Sequence, residues 1–298
     1  MSIKNQEHLT QELINNIDNL SLKAKLVVEG FIVGLHKSPY HGFSVEFSEH
    51  RPYGYGDEIK YIDWKLWGKT DKLFIKQFEE ETNLKCHIIL DKSSSMNYTS
   101  ENISKFEYSK TLAAALSYMM IKQQDAVGLT TFDENIDLTI PPKSKPSHLN
   151  LLLKMMHNSK VGGNTKTADI LHSLASSIKK KGLIILISDL LDTQSDIMQG
   201  LRHFRYKGHE VIVFHIMDQR EIDLDFNQSI NFIDSESKES IISDPRQIKH
   251  DYKKEIKKFI KTYKIQCRKN KIDYIHLNTS DPLEKSLMSY MVKRNKLI

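Results

Sequence analysis

Residues 86–96 read CHIILDKSSSM. An apolar run, Ile88-Ile89-Leu90, is followed at once by a carboxylate, Asp91, and by hydroxyls at 93, 94 and 95. The run is too short for a helix and reads as a buried strand. A simple turn would call for Gly, Asn or Pro, so the polar stretch after it asks for another reason. The same grammar recurs at AVGLTTF (126–132), GLIILIS (182–188), EVIVFHI (210–216) and IDYIHL (272–277). Helical patterns fill the gaps. One opens at the capping box Ser104-x-x-Glu107 and runs through Leu112, Ala115, Leu116 and Met119. Others are expected near 147–158, 167–180, 194–206, 247–270 and 282–294, with an edge strand at DLTI (137–140) and a short strand near Ile230–Ile233. Short apolar strands alternating with helices predict an α/β fold, a mainly parallel sheet covered on both faces.

Before residue 84 the character differs. A helix is expected over Ser21–His36, with Leu22, Leu26, Val27 and Phe31 on its apolar face, and a Gly- and aromatic-rich stretch follows. The expected division is an N-terminal region, 1–84, and a sheet domain, 85–298. Bulk properties narrow the class. With 298 residues there is enough chain for a large core, and a net charge of +5 falls short of the signature of a nucleic-acid binder. Two distant cysteines, Cys86 and Cys267, suggest neither a disulfide framework nor a thiolate metal site. The polar start and the absence of an apolar run of roughly 18 residues predict a soluble, cytoplasmic protein.

In a parallel sheet, ligands collect beyond the carboxyl ends of the strands. Three segments are expected there: Asp91, Ser93 and Ser95 at alternate positions; GGNTKTAD (162–169), with Thr165 before a helix; and Asp189, with Ser188 before it. Two carboxylates and three hydroxyls form a hard oxygen set suited to Mg²⁺ or Mn²⁺. So few charges leave a bound ion electrophilic and ready to accept a carboxylate from another molecule.

These residues carry a resemblance. DKSSS resembles the D-x-S-x-S motif of von Willebrand factor A domains, the metal-ion-dependent adhesion site; GGNT resembles that site's threonine segment and ISD its closing aspartate. The resemblance implies that Ser93, Ser95 and Thr165 bind Mg²⁺ (or Mn²⁺ or Ca²⁺) through hydroxyls, with Asp91 and Asp189 binding directly or through water; Thr167 is an alternative to Thr165. Further upstream, Arg51, Tyr53, Gly56, Asp57, Ile62, Asp63 and Trp64 form an R-x-Y-x-x-G-D…I-D-W pattern. It is similar to the signature of the bacterial domain-of-unknown-function-58 family, whose members couple that motif to an A-like domain. Many members begin with membrane helices; this chain resembles the short soluble type. The resemblance implies partnership with a MoxR-type AAA+ ATPase.

Each feature also has a plainer explanation. Asp91 and its serines can form an Asx turn. Arg51, Tyr53, Gly56, Asp57, Asp63 and Trp64 can be an internal network of paired charges and aromatics, or a docking surface for the ATPase. The lysines at 253, 254, 257, 258, 261 and 264 flank a helical stripe of Tyr252, Ile256, Phe259, Ile260 and Tyr263, and fit a solvated face. The leading expectation is a non-enzymatic interaction module that grasps an acidic residue of a client or of the ATPase through its metal, in assembly, maturation or metal insertion. A metal-dependent phosphohydrolase is the enzymatic alternative, but such sites use a second acid where this chain has Ser93. Nucleic-acid binding through the lysine helix is the third.

Overall fold

The computed structural model describes residues 19–36, 51–52, 54, 67–68, 73–75, 84–100, 103–235, 238–283 and 287. The chain divides into two units, Met1–Gly34 with Asn83–Ile298, and Leu35–Thr82. The expected N-terminal region is thereby split. Most of helix α1 (Leu20–His36) groups with the sheet, and it buries Leu20, Ala24, Val27 and Val28. In the smaller unit, β1 (Arg51–Pro52) pairs antiparallel with β2 (Phe74–Ile75). Of the upstream motif, Arg51 lies in β1; Tyr53, Gly56, Asp57, Ile62, Asp63 and Trp64 lie outside the described residues.

The larger unit is built on β3 (Lys85–Asp91), β4 (Ala126–Phe132), β5 (Ile136–Lys143), β6 (Leu183–Ser188), β7 (Glu210–Met217) and β10 (Asp273–Asn278). They form one six-stranded sheet in the order β10-β7-β6-β3-β4-β5. Only β5 runs antiparallel, along the edge beyond β4. The other pairings are parallel, as short apolar strands separated by helices require. The chain proceeds outward from β3 on one side and returns to its other side at β6. The strand order therefore reverses between β3 and β6, which is where such sheets leave a crevice.

Alternate residues face opposite layers. Ile89, Ile184, Leu186, Val211 and Val213 share one apolar cluster with residues of α4 (Thr167–Ser177), α5 (Gln194–Tyr206) and α7 (Pro245–Lys269). The intervening residues, among them Ile88, Leu90, Ile185, Ile187 and Phe214, are equally buried and point the other way. Helix α2 (Lys105–Lys122) contributes nothing to that cluster. It packs on β3, β4, β6 and β7 and against α3 (Pro146–Asn158). Its run Ala113-Ala114-Ala115 is fully buried, small enough to let the helix approach the strands closely. Ser104 caps it by accepting a hydrogen bond from Glu107 N at 3.2 Å, the first half of the expected capping box.

Three elements differ from expectation. Helix α4 stops at Ser177, short of 180. A five-residue helix, α6 (Gln219–Asp223), follows β7 and carries a complete capping box between Asp218 and Glu221. The strand at Ile230–Ile233 (β8) does not join the main sheet; it pairs antiparallel with β9 (Ser240–Ser243) as a separate hairpin. On α7, Tyr263 is buried and Tyr252, Ile256, Phe259 and Ile260 are half-buried, while Lys254, Lys257, Lys258, Lys261 and Lys264 are exposed. Lys253 turns inward to pair with Asp223 at 3.1 Å. Both cysteines are buried and neither is in a disulfide. No helix among the described residues is long and apolar enough to cross a membrane.

Candidate metal centre at the strand crossover

Asp91 ends β3 and is fully buried. Its Oδ1 accepts from the backbone N–H of Ser93 at 2.9 Å, and its Oδ2 accepts from the hydroxyl of Ser188, the last residue of β6, at 2.6 Å. The first bond is an Asx turn, and it redirects the chain so that Ser93 and Ser95 converge. Their hydroxyl oxygens stand 3.1 Å apart, both buried. One turn of 3₁₀ helix at Ser94–Asn97 holds this loop, anchored by the fully buried Met96. The second bond spans the crossover between β3 and β6. The Ser188 hydroxyl also accepts from Leu190 N at 3.0 Å, so its donor direction is fixed on Asp91.

The threonine segment is joined to this loop by backbone. Gly162 N donates to Lys92 O and Ser94 N donates to Gly163 O, each at 3.0 Å. Gly163 has φ +78°, and a Cβ there would stand 2.9 Å from Cγ of Asp133. Only glycine satisfies both the left-handed backbone and the close approach. Thr165, two residues on, is half-buried; Thr167 opens α4, and its hydroxyl is buried with no hydrogen-bond partner among the described residues. Lys92 pairs with Asp133 at 2.5 Å.

Asp189 follows β6 and is 1% exposed. Its Oδ2 accepts from the ammonium of Lys105 at 2.7 Å, while its Oδ1 is buried with no partner among the described residues. Lys105 reaches Glu221 Oε1 at 2.6 Å with the same nitrogen. Burial disfavours the charge on Lys105, but the two carboxylates outweigh it and raise its pKa. Asp91 is pushed up to about 7 by burial first and by the charge of Asp189 second, although the Ser188 and Ser93 bonds oppose this. A proton and a cation would therefore compete for the same carboxylate near neutral pH.

Asp91, Ser93, Ser95 and Ser188 are joined by hydrogen bonds, the charge of Asp189 acts on Asp91, and Thr165 lies on a segment bonded to the serine loop. Lys105 and Glu221, which the sequence does not single out, adjoin them. A signal for Lys105 was present: it stands at the first helical position on the same stripe as Leu112 and Leu116, so its side chain had to be buried.

The donor set fits a hard divalent ion. It consists of carboxylates and hydroxyls at a strand-end crevice, and one of those carboxylate oxygens is buried without a partner, which is costly unless something completes it. Among the described residues no three His, Cys, Asp or Glu side chains group as a metal cluster.

The fold has relatives. An aerotolerance-related membrane protein from Bacteroides fragilis superimposes with a TM-score of 0.50 at 17% identity, covering 72% of this chain and 99% of that one. The conserved hypothetical protein BatB from Bacteroides thetaiotaomicron gives 0.47 at 16%, with the same coverage. The von Willebrand factor A domain of SpRpn10 gives 0.41 at 13%, covering 68% and 93%. At 17% identity the likeness to the Bacteroides fragilis protein is one of fold alone. Uncharacterized proteins of Mycobacterium bovis and Mycobacterium tuberculosis are 23% identical over 221 residues, 73% of this chain and 69% of theirs. Residues 49–261 match the family described as protein of unknown function DUF58, and the chain belongs to that family.

Proposed function

We propose that the chain is a non-enzymatic protein-interaction module whose crossover site holds a divalent cation, Mg²⁺ by preference or Mn²⁺ or Ca²⁺, and through it a carboxylate of a partner. Asp91, Ser93, Ser95, Thr165 and Asp189 supply the oxygens. The observation that carries this reading is the convergence of the Ser93 and Ser95 hydroxyls beside a buried Asp91, with Asp189 Oδ1 buried and without a partner among the described residues. An ion bound by two acids and neutral hydroxyls keeps positive charge to spare, and an incoming carboxylate neutralises it. Ser93 and Ser95 would hold that ion through their hydroxyls, and Ser188 fixes the carboxylate of Asp91. The partners are a MoxR-type AAA+ ATPase and a client protein, each docking through an acidic residue.

The test is Mn²⁺ binding by calorimetry alongside capture of the ATPase with and without a chelator. Asp91→Ala should lose both saturable binding and capture. Capture that persists in the variant and in chelator would sink the proposal. Turnover of a phosphate ester that depends on Asp91 would replace it with a phosphohydrolase.

A further inference from the structure

Lys105 is a lysine in an adverse place. It occupies the first position of α2, where the helix dipole disfavours a cation, and its side chain is 0% exposed. A buried ammonium is kept only if paired, and this one has two partners, Asp189 at 2.7 Å and Glu221 at 2.6 Å. The partners are unequal in their other bonds. Glu221 is committed elsewhere as well, since its Oε2 accepts from Asp218 N at 2.8 Å to cap α6. The carboxylate of Asp189 has no such second bond: its other oxygen is buried with no partner among the described residues.

Resting on the metal-site reading, we propose that Lys105 is the site's resident cation, which withholds one oxygen of Asp189 from the metal and thereby sets how tightly the metal binds. An incoming divalent ion and the ammonium share one carboxylate and repel each other. Binding shifts Lys105 toward Glu221, and the share of Lys105 that Glu221 holds decides how much of Asp189 the ion receives. Lys105 is thus a positioning residue rather than a ligand. It acts through Asp189, and Glu221 acts through Lys105.

The opposite signs of two substitutions test this on the full chain, with Mn²⁺ as probe and paramagnetic resonance or calorimetry as readout. Lys105→Gln should tighten Mn²⁺ binding about tenfold, the scale of removing one nearby charge inside a protein. Glu221→Gln should weaken it by roughly threefold to tenfold, because Lys105 then belongs to Asp189 alone. Lys110→Gln, which removes a cation from the same helix where it pairs with Glu107 at 2.5 Å, should change affinity less than about twofold. Equal shifts in Lys105→Gln and Lys110→Gln would reduce the effect to a general field and overturn the inference. If Lys105→Gln does not fold, Glu221→Gln decides: unchanged or tighter binding overturns it. Binding that survives Asp91→Ala defeats the metal-site reading itself. Binding that depends on Asp91 but ignores Glu221 defeats only the role of Lys105. Absence of Mn²⁺ binding in both wild type and Lys105→Gln overturns both.

Discussion

Two lysine–aspartate pairs flank the candidate site, and they are built differently. On the β4 side, Lys92 meets Asp133 with side chains 11% and 18% exposed, and a second acid, Asp137, lies 3.8 Å away at 54% exposure. On the β7 side, Lys105 meets Asp189 at 0% and 1% exposure, next to the fully buried His215. The first pair is part-buried and keeps some contact with water, and it holds the loop that Gly163 also pins. The dry pair has no water to fall back on, so each member depends on the other. The lesson is that the same pairing serves as a latch at the rim and as a determinant of charge in the crevice.

The largest expected effect breaks the dry pair. Lys105→Ala leaves Asp189 and Glu221 without their shared cation, and should cost about 3–5 kcal/mol in urea or thermal unfolding. A cost below about 1 kcal/mol would make the two flanks equivalent. Next comes acid. His215 is driven down to about 3 by burial first and by His276 second. The unfolded chain takes up a proton below its ordinary pKa of 6.5, and the folded chain does not until near 3. Stability from this group is therefore complete above 6.5 and is lost as pH falls from 6.5 toward 3. His215→Phe should flatten the fall of Tm over that window; an unchanged slope would assign the acid sensitivity to other groups. The smallest effect is at the rim: Lys92→Ala should cost no more than about 1 kcal/mol, measured by the same melts.

Much of this was legible in the sequence because it obeys a period. Each parallel strand meets a polar residue at its end or one position beyond, at Asp91, Asp133, Ser188, Asp218 and Asn278, and Ser93 and Ser95 alternate with Asp91 just past the first of these. What lacked a period stayed hidden. Helix α6 is five residues long, too short to display a face, and only its Asp218-x-x-Glu221 box announced it. Of the β8–β9 hairpin the sequence suggests only a short strand near Ile230–Ile233, because Ser240–Ser243 offers two isoleucines between serines and no turn signature to tie it to that strand. Lys105 was hidden for another reason. Its identity says surface while its position on the stripe says core, and only the distant acids Asp189 and Glu221 resolve the conflict.

The two buried thiols have a use beyond their chemistry. Cys86 shares the strand parity of Ile88 and Leu90, while Cys267 sits in the cluster of α4, α5 and α7 on the opposite face, 3.9 Å from the sulfur of Met198. Neither can be alkylated until its own layer opens. The chain therefore carries a reporter in each half of its sandwich. The labelling rates of Cys86 and Cys267, resolved by peptide mass, would give separate opening free energies for the two layers without any added probe.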